Sequence, residues 1–136
     1  MLERDYITRI IETFSKNAAH ALRVVLIAGN HRGIVETEKA VGEALEMDPT
    51  TLFALDPESF VTMMRLGGNG EALGDYISYA LENLADAYRE AGDTQTAKLR
   101  REQARAVAGA FGVSRNTIPK EFKDLDAEIQ AKKQQC

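Results

Sequence analysis

The chain has one cysteine, Cys136, and it is the final residue. An internal disulfide is excluded, and with it the usual sign of an oxidising compartment. Histidine is nearly as scarce. His20 and His31 lie on opposite sides of a helix break, with no cysteine or paired carboxylate at ligand spacing, so no metal set can be assembled from them. No apolar run approaches the ~20 residues that span a bilayer. Glu3, Arg4, Asp5 and Arg9 interrupt any apolar stretch at the N-terminus, which predicts no signal peptide and a cytoplasmic protein. The alternation typical of β-strands is missing throughout. Gly67-Gly68-Asn69-Gly70 follows no strand and lacks the Lys-Ser/Thr of a phosphate loop. Nothing singles out a Ser/His/Asp grouping. The expectation is a non-catalytic protein without cofactor or metal.

What is present fits an ordinary globular chain. Its 136 residues suit one domain, and 44% hydrophobic with 28% charged residues is normal composition. The net charge of −4 argues against general nucleic-acid binding, but it is unevenly placed. Residues 1–97 carry 8 basic and 16 acidic side chains, whereas residues 98–136 carry 9 basic and 5 acidic. Such a split either marks a partner surface or helps the two parts of the chain dock onto each other.

Helical periodicity runs along the whole chain. Leu2, Tyr6, Ile7, Ile10, Ile11, Phe14, Ala18, Ala21, Leu22 and Val25 recur at steps of three and four, predicting a helix over about 3–28. Gly29 to Gly33 breaks it. A second helix runs through Ile34, Val41, Ala44, Leu45 and Met47, and Asp48-Pro49 and Asp56-Pro57 each pair an N-cap with a first-turn proline. Residues 67–70 read as a glycine-rich hinge. Leu73, Tyr76, Ile77, Ala80, Leu81, Leu84, Ala85, Tyr88 and Ala91 then fall on one face, up to Gly92. Asp93 caps a further helix through Ala97, Ala104, Val107 and Phe111, so residues 71–111 form a hairpin. A last helix begins near Thr117-Ile118-Pro119 and frays through 131–136. The predicted fold is one all-α domain over 1–136, a compact bundle of five to seven helices, with N-terminal helices over 1–66.

Small residues at the crossing of the hairpin carry a family resemblance. Leu84, Ala85, Tyr88, Ala97 and Ala104, with Gly92-Asp93 at the turn, resemble the 34-residue tetratricopeptide unit. Arg101 and Gly109 depart from that pattern. A second match closes at Ala44-Leu45-Glu46-Met47-Asp48-Pro49, with Thr37 where alanine is usual. The opening Met-Leu-x-Arg-Asp-Tyr-Ile is similar to that of a short bacterial domain-of-unknown-function family, for which a tetratricopeptide-like bundle is implied and no activity.

The resemblance implies a protein- or peptide-interaction module whose polar groove is lined by first-helix residues, here Arg23, Tyr79, Asn83 and Asp86. Asparagine offers donor and acceptor to a peptide backbone, and arginine forks onto a carboxylate. The alternative is DNA binding. Ala108 to Ile118 is similar to the Gly-Val-Ser and Thr-Ile core of helix-turn-helix motifs, which would turn Arg115 and Asn116 to base edges and Arg100, Arg101, Arg105, Lys120 and Lys123 to phosphates. Pro119 falls inside that would-be recognition helix, where it breaks hydrogen bonding. Phe60, Met63, Met64 and Leu66 form a soft apolar cluster, read either as core or as the face of a homodimer.

Overall fold

The computed structural model describes residues 2–114 and 117–135, and among these the chain is all-α. Seven α-helices follow in order: α1 (Leu2–Leu22), α2 (Arg32–Leu45), α3 (Pro49–Phe53), α4 (Pro57–Gly67), α5 (Gly70–Glu90), α6 (Thr94–Ala110) and α7 (Lys123–Gln134). None of them is long and apolar enough to cross a membrane.

The local start and stop signals act where the sequence places them. Asp48, Asp56 and Asp93 accept from the backbone N–H of Thr51, Ser59 and Thr96, and so satisfy donors that each helix start leaves unpaired. Gly92 takes φ of +88° between α5 and α6, a conformation that would strain any residue with a Cβ. The stretch expected as a hinge forms a tight corner. Gly67 closes α4 and Gly70 opens α5, leaving only Gly68 and Asn69 between the helices. Gly70 is buried, and a Cβ built on it would lie 2.6 Å from the ring of Phe111. The corner is thus pinned by the far end of α6.

Two hairpins, α1 with α2 and α5 with α6, organise the core, and α4 packs along α6. Gly33 permits the first: a Cβ there would fall 2.3 Å from the carbonyl oxygen of Ala21. One turn on, Thr37 is fully buried and its hydroxyl donates to the Gly33 carbonyl at 2.7 Å, which makes the polar residue harmless in the interface. In the second hairpin Leu84, Ala85 and Ala104 are sealed from solvent and Ala97 nearly so. Leu84→Ala should therefore lower stability by about 2–5 kcal/mol, read from urea unfolding; a change near zero would contradict the packing. Phe60 and Met64 belong to this core, whereas Leu66 is 74% exposed, so the apolar cluster on α4 divides between interior and surface.

The long first helix does not end as a regular α-helix. Residues Arg23–Ile27 continue it as a π-helical turn in which Ala28 N–H donates to the Arg23 carbonyl at 3.0 Å. One extra residue per turn re-aims the side chains that follow and opens backbone carbonyls. Both consequences matter at the adjoining groove.

Candidate functional site

The last helix is the key to the candidate site. After α6 the described residues form no helix until a 3-10 turn at Lys120–Phe122, which leads straight into α7. Its acidic first turn (Asp124, Asp126) and basic last turn (Lys132, Lys133) complement the helix dipole. Phe122, Leu125 and Ile129 make a single apolar stripe at steps of three and four, and all three are buried. The stripe lies in the groove between the π-helical end of α1 and the exposed side of α5.

At the head of that groove the Phe122 ring stacks on Tyr79, with centroids 4.8 Å apart. Phe14 and Tyr76 meet it edge-on at 6.4 and 6.0 Å. Polar bonds flank this slot. Tyr76 donates its hydroxyl to Glu121 and Tyr79 donates to Asp126, each at 3.0 Å. Arg23 grips Glu128 through Nε and Nη2, the latter at 2.9 Å, in the forked geometry that suits a carboxylate. Lys132 donates to the Ile27 carbonyl, which the π-turn leaves open, and Lys133 lies 3.6 Å from Asp86.

Burial, reinforced by the neighbouring carboxylates, pushes the phenol of Tyr76 up to about 12 and that of Tyr79 well above its ordinary range. The Arg23 hydrogen bond holds Glu128 below the usual carboxylate range, and Glu128 in turn raises Arg23.

Of the four residues expected to line a polar groove, Arg23, Tyr79 and Asp86 meet α7, so the groove is not open there. Arg23, Tyr79 and Asp86 spend their polar atoms on α7 or on neighbouring arginines: Asp86 accepts from Arg101 at 2.9 Å and pairs with Arg89 at 3.3 Å. Asn83 is only 7% exposed and donates to the Tyr79 carbonyl within its own helix, so it faces no partner. The physical reason is that the groove's polar rim and aromatic slot match the chain's own C-terminal helix. Arg101 also holds Glu82 at 2.7 Å, which accounts for a charge at a position where a large apolar residue is usual.

The segment expected to form a helix-turn-helix has a different shape. Gly112 turns with φ of +66°, but Val113, Ser114 and residues 117–119 are not helical, and Pro119 is extended and buried. The next α-helix among the described residues opens at Lys123 and buries Leu125 and Ile129 in the groove, so none of the described residues forms a free recognition helix at this place. Arg115 and Asn116 lie outside the described residues. Lys120 sits exposed on the 3-10 turn, Lys123 is exposed at the start of α7, Arg105 is exposed on α6, and Arg100 is buried.

Sequence reasoning missed two groups. One is the α7 stripe itself, whose F-K-D-L-D-A-E-I spacing does carry a signal. The other is a buried charge network, in which Arg100 pairs with Glu38 at 2.9 Å, donates to the Phe53 carbonyl and to Gln103, and stacks over Phe53 at 4.5 Å. Tyr88 completes it by donating to Glu38 at 2.7 Å. Every polar atom in it is satisfied, which marks a structural tie between α2, α5 and α6.

Shallow clefts lie elsewhere among the described residues. One of about 330 Å³ separates α1 from α2 near Ile10, Phe14 and Glu43. Another of about 320 Å³ runs beside Arg89, Lys98 and Arg105. Among the described residues no three His, Cys, Asp or Glu side chains gather as a metal would need. Compared with protein-family models, curated proteins and solved structures, the chain shows no match.

Acid should loosen this architecture. Glu128, Asp56 and Asp93 all have depressed folded-state values, caused by the Arg23, Ser59 and Thr96 hydrogen bonds respectively. Their contribution is complete at neutral pH and is lost as pH falls through and below about 4. Circular dichroism melts from pH 7 to pH 3 should show a falling Tm. Asp56→Asn with Asp93→Asn, which keeps the caps without the charge, should flatten that fall; an unchanged slope would exclude the caps as its origin.

Proposed function

We propose that the protein is a non-catalytic interaction module of tetratricopeptide-like character, which takes a protein segment in the groove between the end of α1 and α5. The observation that carries this is the groove's present occupant. A helix is already held there by an aromatic slot and a polar rim, through Tyr79–Asp126, Arg23–Glu128 and Lys133–Asp86. That is the chemistry of helix-in-groove recognition, performed within one chain.

The rim suits recognition better than it suits stability. The Arg23 and Glu128 side chains are 39% and 45% exposed, where an ion pair adds little to folding but still selects register and partner.

The test compares capture from a cell lysate by the wild-type chain and by an Arg23→Ala, Tyr79→Phe variant, with and without nuclease. Wild type should retain proteins that the variant loses, at matching Tm. Equal recovery by both chains, or recovery that nuclease abolishes, would refute the role.

A further inference from the structure

We infer that the groove selects a partner helix of one pattern, an aromatic residue followed by apolar residues three and seven places on, with carboxylates at the fourth and sixth. This rests on the interaction role proposed above and specifies its ligand: a short acidic amphipathic helix of another protein, competing with α7 for its seat. The pattern is written in the chain as Phe122, Leu125, Asp126, Glu128 and Ile129.

Phe122, Asp126 and Glu128 each meet a complementary feature that belongs to the groove and not to α7. The slot formed by Phe14, Tyr76 and Tyr79 accepts a flat ring, stacked on one side and met edge-on by the others. The Tyr79 hydroxyl projects to the fourth position, where its raised phenol remains a donor and requires an acceptor. Arg23 presents two N–H groups to the sixth position, a fork that fits a carboxylate and rejects an amine. The Ile27 carbonyl at the end of the π-helical turn faces the same helix near its end.

α7 is suited to yield. Within its own length only Leu125 and Ile129 are buried; its Arg23–Glu128 pair lies at an exposed rim, while the Tyr79–Asp126 bond is part-buried. It is joined to α6 by a segment in which Phe111 and Ile118 pack on the core and Pro119 is buried. Its docking is intramolecular, so a ligand must either bind tightly or reach a chain whose own helix is weakened.

The experiment uses the full chain and a labelled synthetic peptide spanning residues 118–135, followed by fluorescence anisotropy. Wild type should bind the peptide weakly, and Leu125→Ala, which weakens the internal competitor, should bind it at least about 10-fold more tightly. Replacing the phenylalanine of the peptide by alanine should weaken binding about 100-fold or more. Adding Arg23→Glu to the Leu125→Ala chain should weaken it about 5-fold, and a peptide with Glu128→Arg should restore it. Circular dichroism checks that each variant stays folded, and Ile129→Ala replaces Leu125→Ala should the latter fail to fold.

A folded Leu125→Ala chain that ignores the peptide would overturn the inference. So would binding indifferent to both charge reversals. If lysate capture still depends on Arg23 and Tyr79, the interaction role stands and only the assigned occupant falls. A dimer in light scattering that Arg23→Glu dissolves would also overturn it, by giving the groove to the last helix of a second copy.

Discussion

Arg100→Ala should cost about 3 kcal/mol of stability, seen as a fall in the urea midpoint with little change in slope. The guanidinium is 5% exposed and joins three parts of the chain: Glu38 on α2, the Phe53 carbonyl at the end of α3, and Gln103 on α6. Removing one partner of a buried ion pair costs about 3–5 kcal/mol, because the other charge is left without compensation in a poorly solvated place. Here the lower end applies. Glu38 keeps the Tyr88 hydroxyl, and the Phe53 carbonyl keeps the Gln103 amide at 3.2 Å, so neither is wholly orphaned. The aromatic faces of Phe53 and Tyr88 also lose a cation stacked at 4.5 and 5.3 Å. Domains of ordinary stability have only about 5–15 kcal/mol to lose, so the variant should be visibly fragile. Glu38→Leu with Arg100→Met tests the cause. Removing both charges and keeping the volume should recover most of the loss. A single-variant loss below about 1 kcal/mol would show that the network contributes nothing.

That network illustrates which parts of the molecule are legible in the sequence. Helix starts at Asp48, Asp56 and Asp93 depend on contacts three residues away, and those were readable because the chemistry is local. The all-α class and the α5–α6 hairpin followed from periodic apolar residues such as Leu81, Leu84 and Ala85. The choice between Arg100 and Arg101 was not readable. Adjacent residues point about 100° apart on a helix, and the partner that settles it, Glu38, is 62 residues distant. The π-turn hides similarly within Val24-Val25-Leu26-Ile27, an apolar run with no glycine or proline to mark it. Residues 67–70 hide two different kinds of glycine. Gly70, like Gly74, is there because Phe111 leaves no room for a Cβ, whereas a Cβ on Gly67 or Gly68 would meet nothing within 4 Å and Gly68 takes φ of +80°. Arg23, Tyr79 and Asp86 meet a covering helix that docks across 105 residues in the case of Arg23, beyond the reach of any local rule.

Phe122→Ala should produce the second large effect, and its form is more informative than its size. The ring is fully buried and contacts Phe14, Tyr76 and Tyr79, so deleting it from a rigid core would cost about 3–5 kcal/mol. Two responses are open to the chain. If α7 is an inseparable part of the core, the cavity persists, the whole penalty is felt in global unfolding, and every helix loses stability together. If α7 is a docked ligand, the helix leaves instead, and the penalty cannot exceed the free energy with which it was seated. Hydrogen exchange separates the two: amides of Leu125 and Ile129 should then exchange rapidly while those of Leu84 and Ala104 remain protected. The tyrosines give a second readout. Burial beneath the last helix raises Tyr76 and Tyr79, so a raised phenol favours the closed state below about pH 10 and loses that contribution as pH climbs through its folded value. Unseating α7 should bring both back toward the ordinary phenol range, while Tyr88, pushed up to about 12 by burial and Glu38 on the opposite hairpin contact, should not move. Selective release of α7 with Tyr88 unchanged is the outcome expected of a groove that holds its own helix as it would hold a partner's; uniform loss of protection would make α7 core.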